Sequence, residues 1–270
     1  MINGKKIGFI GGGNMAEAII KGLLASGIRA DSLLAAEPLP QRQAYLTSTY
    51  AISSGDDNLE TARQSDILIL AVKPQLAGHV LTSLEPAISA STLVISIMAG
   101  ISTAFIEESL AAGVRVVRAM PNTPAMIQAA ATAICPGRMS SENDLAMAGG
   151  IFASIGCVVT VSEKQMDAVT GLSGSGPAYV FTFIEALADA GVKNGLARDV
   201  AFKLAVQTVL GAARLVDETG EHPALLKEKV TSPGGTTIAA LHTLENGRFH
   251  GLIMDAVDSA CRRSKELSGK

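Results

Sequence analysis

Residues 6–10 form a short apolar run (Ile7, Phe9 and Ile10) that leads straight into Gly11-Gly12-Gly13. After the glycines, Ala16, Ile19, Ile20, Leu23 and Leu24 recur at helical spacing until Gly27. The pattern predicts a strand, a tight glycine turn and a helix. A strand that feeds a helix so directly suits a parallel sheet, whose strands need helical crossovers between them. The front of the chain repeats the alternation: strand-like runs fall at 33–36, 67–72, 93–98, 114–117, 131–134 and 157–161, with helical patterns such as 101–110 between them. Several runs are apolar throughout, as strands covered on both faces are. The expectation is an α/β fold whose N-terminal part, residues 1–162, is a Rossmann-type doubly wound sheet.

The texture changes after Ser162. Ser162-Glu163-Lys164-Gln165 has the form of a capping box, and the remainder, 163–270, reads as an all-α domain. Its helices are expected at 165–170, 176–194, 197–219, 223–230, 237–245 and 249–267. Their apolar faces are wide; Val200, Leu204, Ala205, Val209, Leu210 and Ala213 leave one helix with little surface for water. A segment this short cannot bury such faces by itself, so the reading includes a second chain and an obligate oligomer.

Composition narrows the function classes. Hydrophobic residues make up 48% and charged residues 17%, enough for a large core and far from the composition of disordered chains. The net charge is -3 and neither half is basic, which argues against nucleic acid as a partner. Cys135, Cys157 and Cys261 lie far apart and the four histidines form no i, i+3 or i, i+4 pair, so no metal site is expected. No apolar run approaches the roughly 18 residues of a membrane span, and Met1 leads into a strand-like run rather than a signal core. The expected location is the cytoplasm.

Gly11-x-Gly13-x-x-Ala16 stands where a dinucleotide fingerprint must stand, between a strand and a helix. There the first glycine turns the chain, the second lets a pyrophosphate approach the backbone, and helix N–H groups hold the phosphates. Glu37 closes the second strand, the usual place for an acid that takes the ribose 2′-hydroxyl of NAD, whereas Arg42 could reach a 2′-phosphate. Ala71-Val72-Lys73-Pro74, Ala99-Gly100 and Met120-Pro121-Asn122-Thr123-Pro124 follow other strands and are candidate walls of a nicotinamide pocket. Thr231-Ser232-Pro233-Gly234-Gly235-Thr236-Thr237 precedes a helix and offers hydroxyls, glycines and N–H groups without a lysine, a nest suited to a small carboxylate. Gly171-Leu172-Ser173-Gly174-Ser175-Gly176-Pro177 breaks two helices and suggests close backbone approach to a ligand or to another chain. A dehydrogenase of alcohols or ketones needs an acid or base beside the oxygen. The helices after Pro177 show no lysine before Lys193 and no histidine in an active-site pattern. That favours a C=N substrate, which can arrive protonated.

Together these segments resemble pyrroline-5-carboxylate reductase, and the match runs in order along nearly the whole chain. The most specific stretches are Thr170 through Tyr179 and Val230 through Ile238. The resemblance implies reduction of L-1-pyrroline-5-carboxylate to L-proline, the last step of proline biosynthesis, by hydride from NADPH or NADH. It also implies a helical dimerisation and substrate-binding domain, and homodimers that assemble into decamers. By position, Ile10, Gly11, Gly12, Gly13, Asn14, Met15, Asn58, Ala71, Val72, Lys73, Pro74, Ile97, Met98 and Ala99 would hold the cofactor, with Glu37 at its ribose. Ser232, Gly235, Thr236 and Thr237 would hold the imino acid, Glu163 would border it, and the Thr237 hydroxyl would bond the ring nitrogen as the catalytic group. The resemblance leans toward NADPH, while Glu37-Pro38, where many relatives have Asn-Arg or Ser-Arg, leaves NADH open.

Overall fold

A computed structural model describes residues 2–267. They form two compact units: the chain up to Ser175 together with the chain from Ser259 onward, and Gly176–Asp258.

In the first unit, strands and helices alternate as β1 (Ile7–Ile10), α1 (Asn14–Ala25), β2 (Leu33–Ala36), α2 (Pro40–Tyr50), β3 (Ser53–Gly55), α3 (Asn58–Arg63) and β4 (Ile67–Leu70). There follow α4 (Ala77–Leu84), β5 (Leu93–Ser96), α5 (Thr103–Ser109), β6 (Arg115–Met120), β7 (Ala130–Pro136), α6 (Glu142–Ala153), β8 (Gly156–Thr160) and α7 (Met166–Val169). The strands make one sheet in the order β3-β2-β1-β4-β5-β6-β7-β8. From β3 to β6 all pairs are parallel; β7 runs against β6 and carries β8 parallel to itself. The sheet is therefore mixed, with a doubly wound parallel part and a reversed edge.

Every residue of β1, β2, β4 and β5 is buried, which explains why these short runs read as continuously apolar. Phe9, Ile69, Ile95 and Val117 pack with Ile19, Ile20 and Leu23 of α1 and with Ile151 and Phe152 of α6. On the opposite face Ile10, Leu70, Val94 and Val116 pack with Val80, Leu81 and Leu84 of α4 and Ile106 of α5. The strand β3, Ser-Ser-Gly, has no apolar side chain and escaped the sequence reading. At the edge of the sheet it is held by backbone pairing to β2, which leaves no hydrophobic pattern.

The capping box at Ser162 forms: the Gln165 side chain accepts from the Ser162 backbone N–H at 2.9 Å. It opens a helical turn at the expected start of the second domain. The compact division nevertheless falls later, because Met166 is fully buried against Ala133 and Cys135 of β7 and ties this turn to the sheet.

The second unit holds α8 (Gly176–Lys193), α9 (Arg198–Thr219), α10 (Pro223–Lys229), α11 (Thr236–Asn246) and the beginning of α12 (Phe249–Leu267). These bounds agree with the periodicity to within a residue or so. The helices α8 and α9 approach closely where Gly191 faces Ala201. Ala188, Ala201 and Ala205 are the fully buried apolar residues here, while Phe181, Phe202, Leu204 and Met254 are each more than half exposed. Among the described residues no helix is long and apolar enough to cross a membrane.

Candidate active site

The parallel strands end in one line. Beyond them the ladder continues for one bond each: Gly11 N–H to Ala36 O, Glu37 N–H to Gly55 O, Ala71 N–H to Ile10 O and Ile97 N–H to Leu70 O, all at 2.8–3.1 Å. The expected cofactor residues Ile10 through Met15, Glu37, Ala71 through Pro74 and Ile97 through Ala99 thus converge on the carboxyl edge of the sheet, and Asn58 begins α3 just beyond β3. Ligands bind at this edge in such sheets. Gly11 has φ +97°, and a Cβ there would lie 2.7 Å from the Ala71 carbonyl oxygen, so only glycine fits. A Cβ on Gly13 would meet nothing within 4 Å, and α1 starts without a side-chain cap. An open backbone at an uncapped helix N-terminus fits a pyrophosphate. Lys73 is exposed and starts the turn Pro74–Leu76.

Glu37 is buried at 7% exposure. Its Oε2 accepts from Gly12 N–H at 2.9 Å and its Oε1 from Leu39 N–H at 3.0 Å, so the carboxylate braces the glycine turn. Arg42 does not extend outward. Its Nη2 meets Glu17 Oε2 at 2.5 Å and its Nε donates to Gly12 O at 2.6 Å. Sequence reasoning missed Glu17, a buried acid in the first turns of α1.

The second unit carries the expected nest. Gly234 adopts φ +66° and Gly235 N–H closes back on Ser232 O at 3.1 Å, which aims the chain into α11. No side chain caps that helix, so the Thr236 and Thr237 hydroxyls are not spent on the backbone there. Ser232 and Thr236 are exposed, Gly235 and Thr237 half-buried. The segment is neutral; a recess of about 720 Å³ beside it is lined by Thr231, Gly234 and Gly235 but not by Ser232, Thr236 or Thr237, and Lys227, Glu228 and Glu245 bring charges of both signs to it.

Glu163 lies in the first unit. Its carboxylate pairs with Arg118 Nη1, accepts from the Cys135 thiol at 3.2 Å and receives a long bond from Thr103 N–H at the start of α5. Burial alone would raise this carboxyl; the Arg118 charge and the bonds from Cys135, Arg118 and Thr103 outweigh it and hold it below the usual range. Burial, then the adjacent Glu163 charge, pushes the Cys135 thiol up to about 12. Arg118 is only 1% exposed. The signal that could have found it is an arginine set between Val116-Val117 and Ala119-Met120, an apolar setting that demands a buried partner.

The Pro121-Asn122-Thr123-Pro124 segment acts as a clamp. Asn122 Oδ1 accepts from Ala131 N–H and its Nδ2 donates to Ser173 O, both at 3.0 Å. The glycine-rich break expected to face a ligand or another chain therefore packs, at Ser173 and Gly174, against Asn122 and the tip of Met120 of its own unit.

Residues 163–267 match the family described as pyrroline-5-carboxylate reductase dimerisation. Residues 6–100 match a family described as NADP oxidoreductase, coenzyme F420-dependent. A pyrroline-5-carboxylate reductase from Synechocystis sp. is 51% identical over 266 residues, 98% of this chain and 99% of the relative. The structure of a pyrroline-5-carboxylate reductase from Coxiella burnetii matches with TM-score 0.93 and 38% identity, over 98% of this chain and 99% of that one. Plasmodium falciparum pyrroline carboxylate reductase, solved with NADP bound, matches with TM-score 0.89 and 35% identity over the same shares. With a glycine turn at the carboxyl edge of a parallel sheet in one unit, the dimerisation family matched along residues 163–267 and relatives of this identity along its length, the chain belongs to the pyrroline-5-carboxylate reductase family.

Proposed function

We propose that this protein reduces L-1-pyrroline-5-carboxylate to L-proline, closing proline biosynthesis in the cytoplasm. The observation that carries the reading is the uncapped nest at residues 231–237, which offers hydroxyls and amide N–H groups to a small carboxylate in a chain of this family. A reduced nicotinamide dinucleotide, when bound, supplies the hydride. Gly11, Gly12 and Gly13 with the first turn of α1 hold its pyrophosphate, and Ala71 through Pro74 and Ile97 through Ala99 line its path along the sheet edge. Asn58 borders the same edge.

Ser232, Gly235 and Thr236 hold the substrate carboxylate. The Thr237 hydroxyl bonds the ring nitrogen, so that the C=N carbon is presented in one orientation and the nitrogen keeps its proton as the bond becomes single. Catalysis is then positioning and charge stabilisation rather than covalent chemistry. Glu163 borders the substrate region through the buried charge system that it shares with Arg118. The half-exposed helix faces are covered by a second copy of the chain, and the dimers assemble further into decamers.

Steady-state reduction of pyrroline-5-carboxylate, followed by nicotinamide absorbance with each dinucleotide, tests the reading. Turnover is expected, and Thr237→Ala should lower kcat/KM by about 1 to 3 kcal/mol of transition-state stabilisation. A folded protein that binds dinucleotide but turns over no imine would refute the assignment.

A further inference from the structure

We infer that Glu17 makes this chain select NADH over NADPH, by holding Arg42 away from the place of an adenosine 2′-phosphate; the inference rests on reading the glycine turn as a dinucleotide site. In Rossmann sheets the adenosine ribose lies at the end of the second strand. Here Glu37 stands at that end, and β3 beside it leads into Asp56 and Asp57. Arg42 is the one cation of α2, and it is committed elsewhere.

Arg42 binds Glu17 and the Gly12 carbonyl and lies over the Tyr45 ring, 5.0 Å from its centroid. Glu17 is fixed in turn, since its Oε1 accepts from Tyr45 at 2.9 Å and from Tyr50 at 2.7 Å. Burial would raise this carboxyl, but bonds from Tyr50, Arg42 and Tyr45 and the Arg42 charge keep it below the usual range, hence ionised at neutral pH. Turning Arg42 toward a phosphate would strip a buried carboxylate of its counter-charge. The start of α2 offers no second cation and, besides the Gln41 N–H, little to hold a phosphate. Pro40 has no N–H, and the Leu39 carbonyl already takes the N–H groups of Arg42 and Gln43.

Leu39, Pro40, Gln41, Arg42 and Tyr45 line a recess of about 710 Å³ at this end of the sheet. Arg42 is the charged residue that lines it; Glu17, paired with Arg42, and Glu37, just past β2, lie behind this lining and bring the sum of the three charges to a negative value. Glu37, an acceptor only, can take a hydrogen bond from a ribose hydroxyl and repels a phosphate. Glu37 thus chooses the ligand, and Glu17 removes the group that would reverse the choice.

Equilibrium titration by nicotinamide fluorescence tests this without turnover. The unmodified protein should bind NADH at least about tenfold more tightly than NADPH at low salt, since like charges are juxtaposed only with the latter. Added salt should narrow the gap by screening that repulsion. Glu17→Gln, which keeps an acceptor for the tyrosines and releases Arg42, should tighten NADPH about tenfold while moving NADH less than about threefold, as one gained cation-phosphate contact would. Adding Arg42→Ala to that variant should cancel the gain. Equal affinities in the unmodified protein, NADPH binding that weakens more steeply with salt than NADH binding, or an unchanged ratio in a folded Glu17→Gln protein would each overturn the inference alone. If the variant fails to fold, the salt titration of the unmodified protein decides. Binding of neither dinucleotide would overturn the site reading and the inference with it.

Discussion

The two units of this chain solve the same problem, burial of apolar surface, in opposite ways. The sheet unit closes its own core: helices cover both faces, and large side chains such as Phe9, Ile19, Phe152 and Ile67 are inaccessible to water. The helical unit has only alanines inside and large side chains outside. One covers its large apolar side chains within the chain, whereas the other leaves them exposed in the single chain. The dimerisation family matched by residues 163–267 accounts for the difference.

The sharpest way to break this contrast is a charge on the apolar face of α9. Phe202 is 57% exposed in the single chain, and it is the residue of that face expected to be covered by a second copy. Phe202→Asp should dissociate the dimer in analytical ultracentrifugation and abolish measurable turnover, while the sheet unit keeps its dinucleotide affinity. A stable, active dimer from this variant would mean that the helical unit is covered in some other way.

The sheet unit should fail for a different reason. Glu163→Ala leaves the Arg118 guanidinium buried without its carboxylate, a loss of about 3 to 5 kcal/mol in urea unfolding. No dependence on protein concentration should accompany the change in that unit, which separates it from the interface variant. A cost below about 1 kcal/mol would show that Arg118 finds other compensation.

A smaller effect is expected from pH. Glu17 and Glu163 both titrate below their ordinary value in the folded state. The stability they confer is complete above the unfolded carboxylate pKa, about 4.3, and is lost as pH falls through the depressed folded values. The sheet unit should therefore show flat stability from pH 7 to about 5.5 and a decline below about 4.5. Urea midpoints at a series of pH values read this directly, and Glu163→Ala should make the decline shallower.

Much of the fold is legible in the sequence because local pattern and burial coincide. The apolar runs expected at 6–10, 67–72 and 93–98 contain strands buried on both faces, although β4 and β5 stop at Leu70 and Ser96, two residues before the runs do, and α9 carries its periodicity over its whole length. The glycine turn is legible too, since a positive φ at Gly11 and the approach of the Ala71 carbonyl admit no side chain. What sequence pattern hides is pairing at a distance. Glu163 meets Arg118 across 45 residues, and Glu17 meets Arg42 across 25. Glu163 stands in a capping box and Arg42 just after the second strand, and neither setting names the partner. Ser173 stands in the glycine-rich break, yet nothing in that motif shows that its backbone carbonyl accepts from Asn122. The reversal at β7 is hidden as well, because the apolar run 131–134 carries no sign of its direction.

Cys135 offers a built-in clock. Its thiol is inaccessible in the folded sheet and held protonated by burial and the neighbouring carboxylate, whereas Cys157 is exposed. A thiol reagent reacts with the thiolate and needs access, so Cys157 is labelled first and Cys135 only when the β6–β7 region opens. The delay between the two labels measures how often the chain uncovers this part of its interior under native conditions.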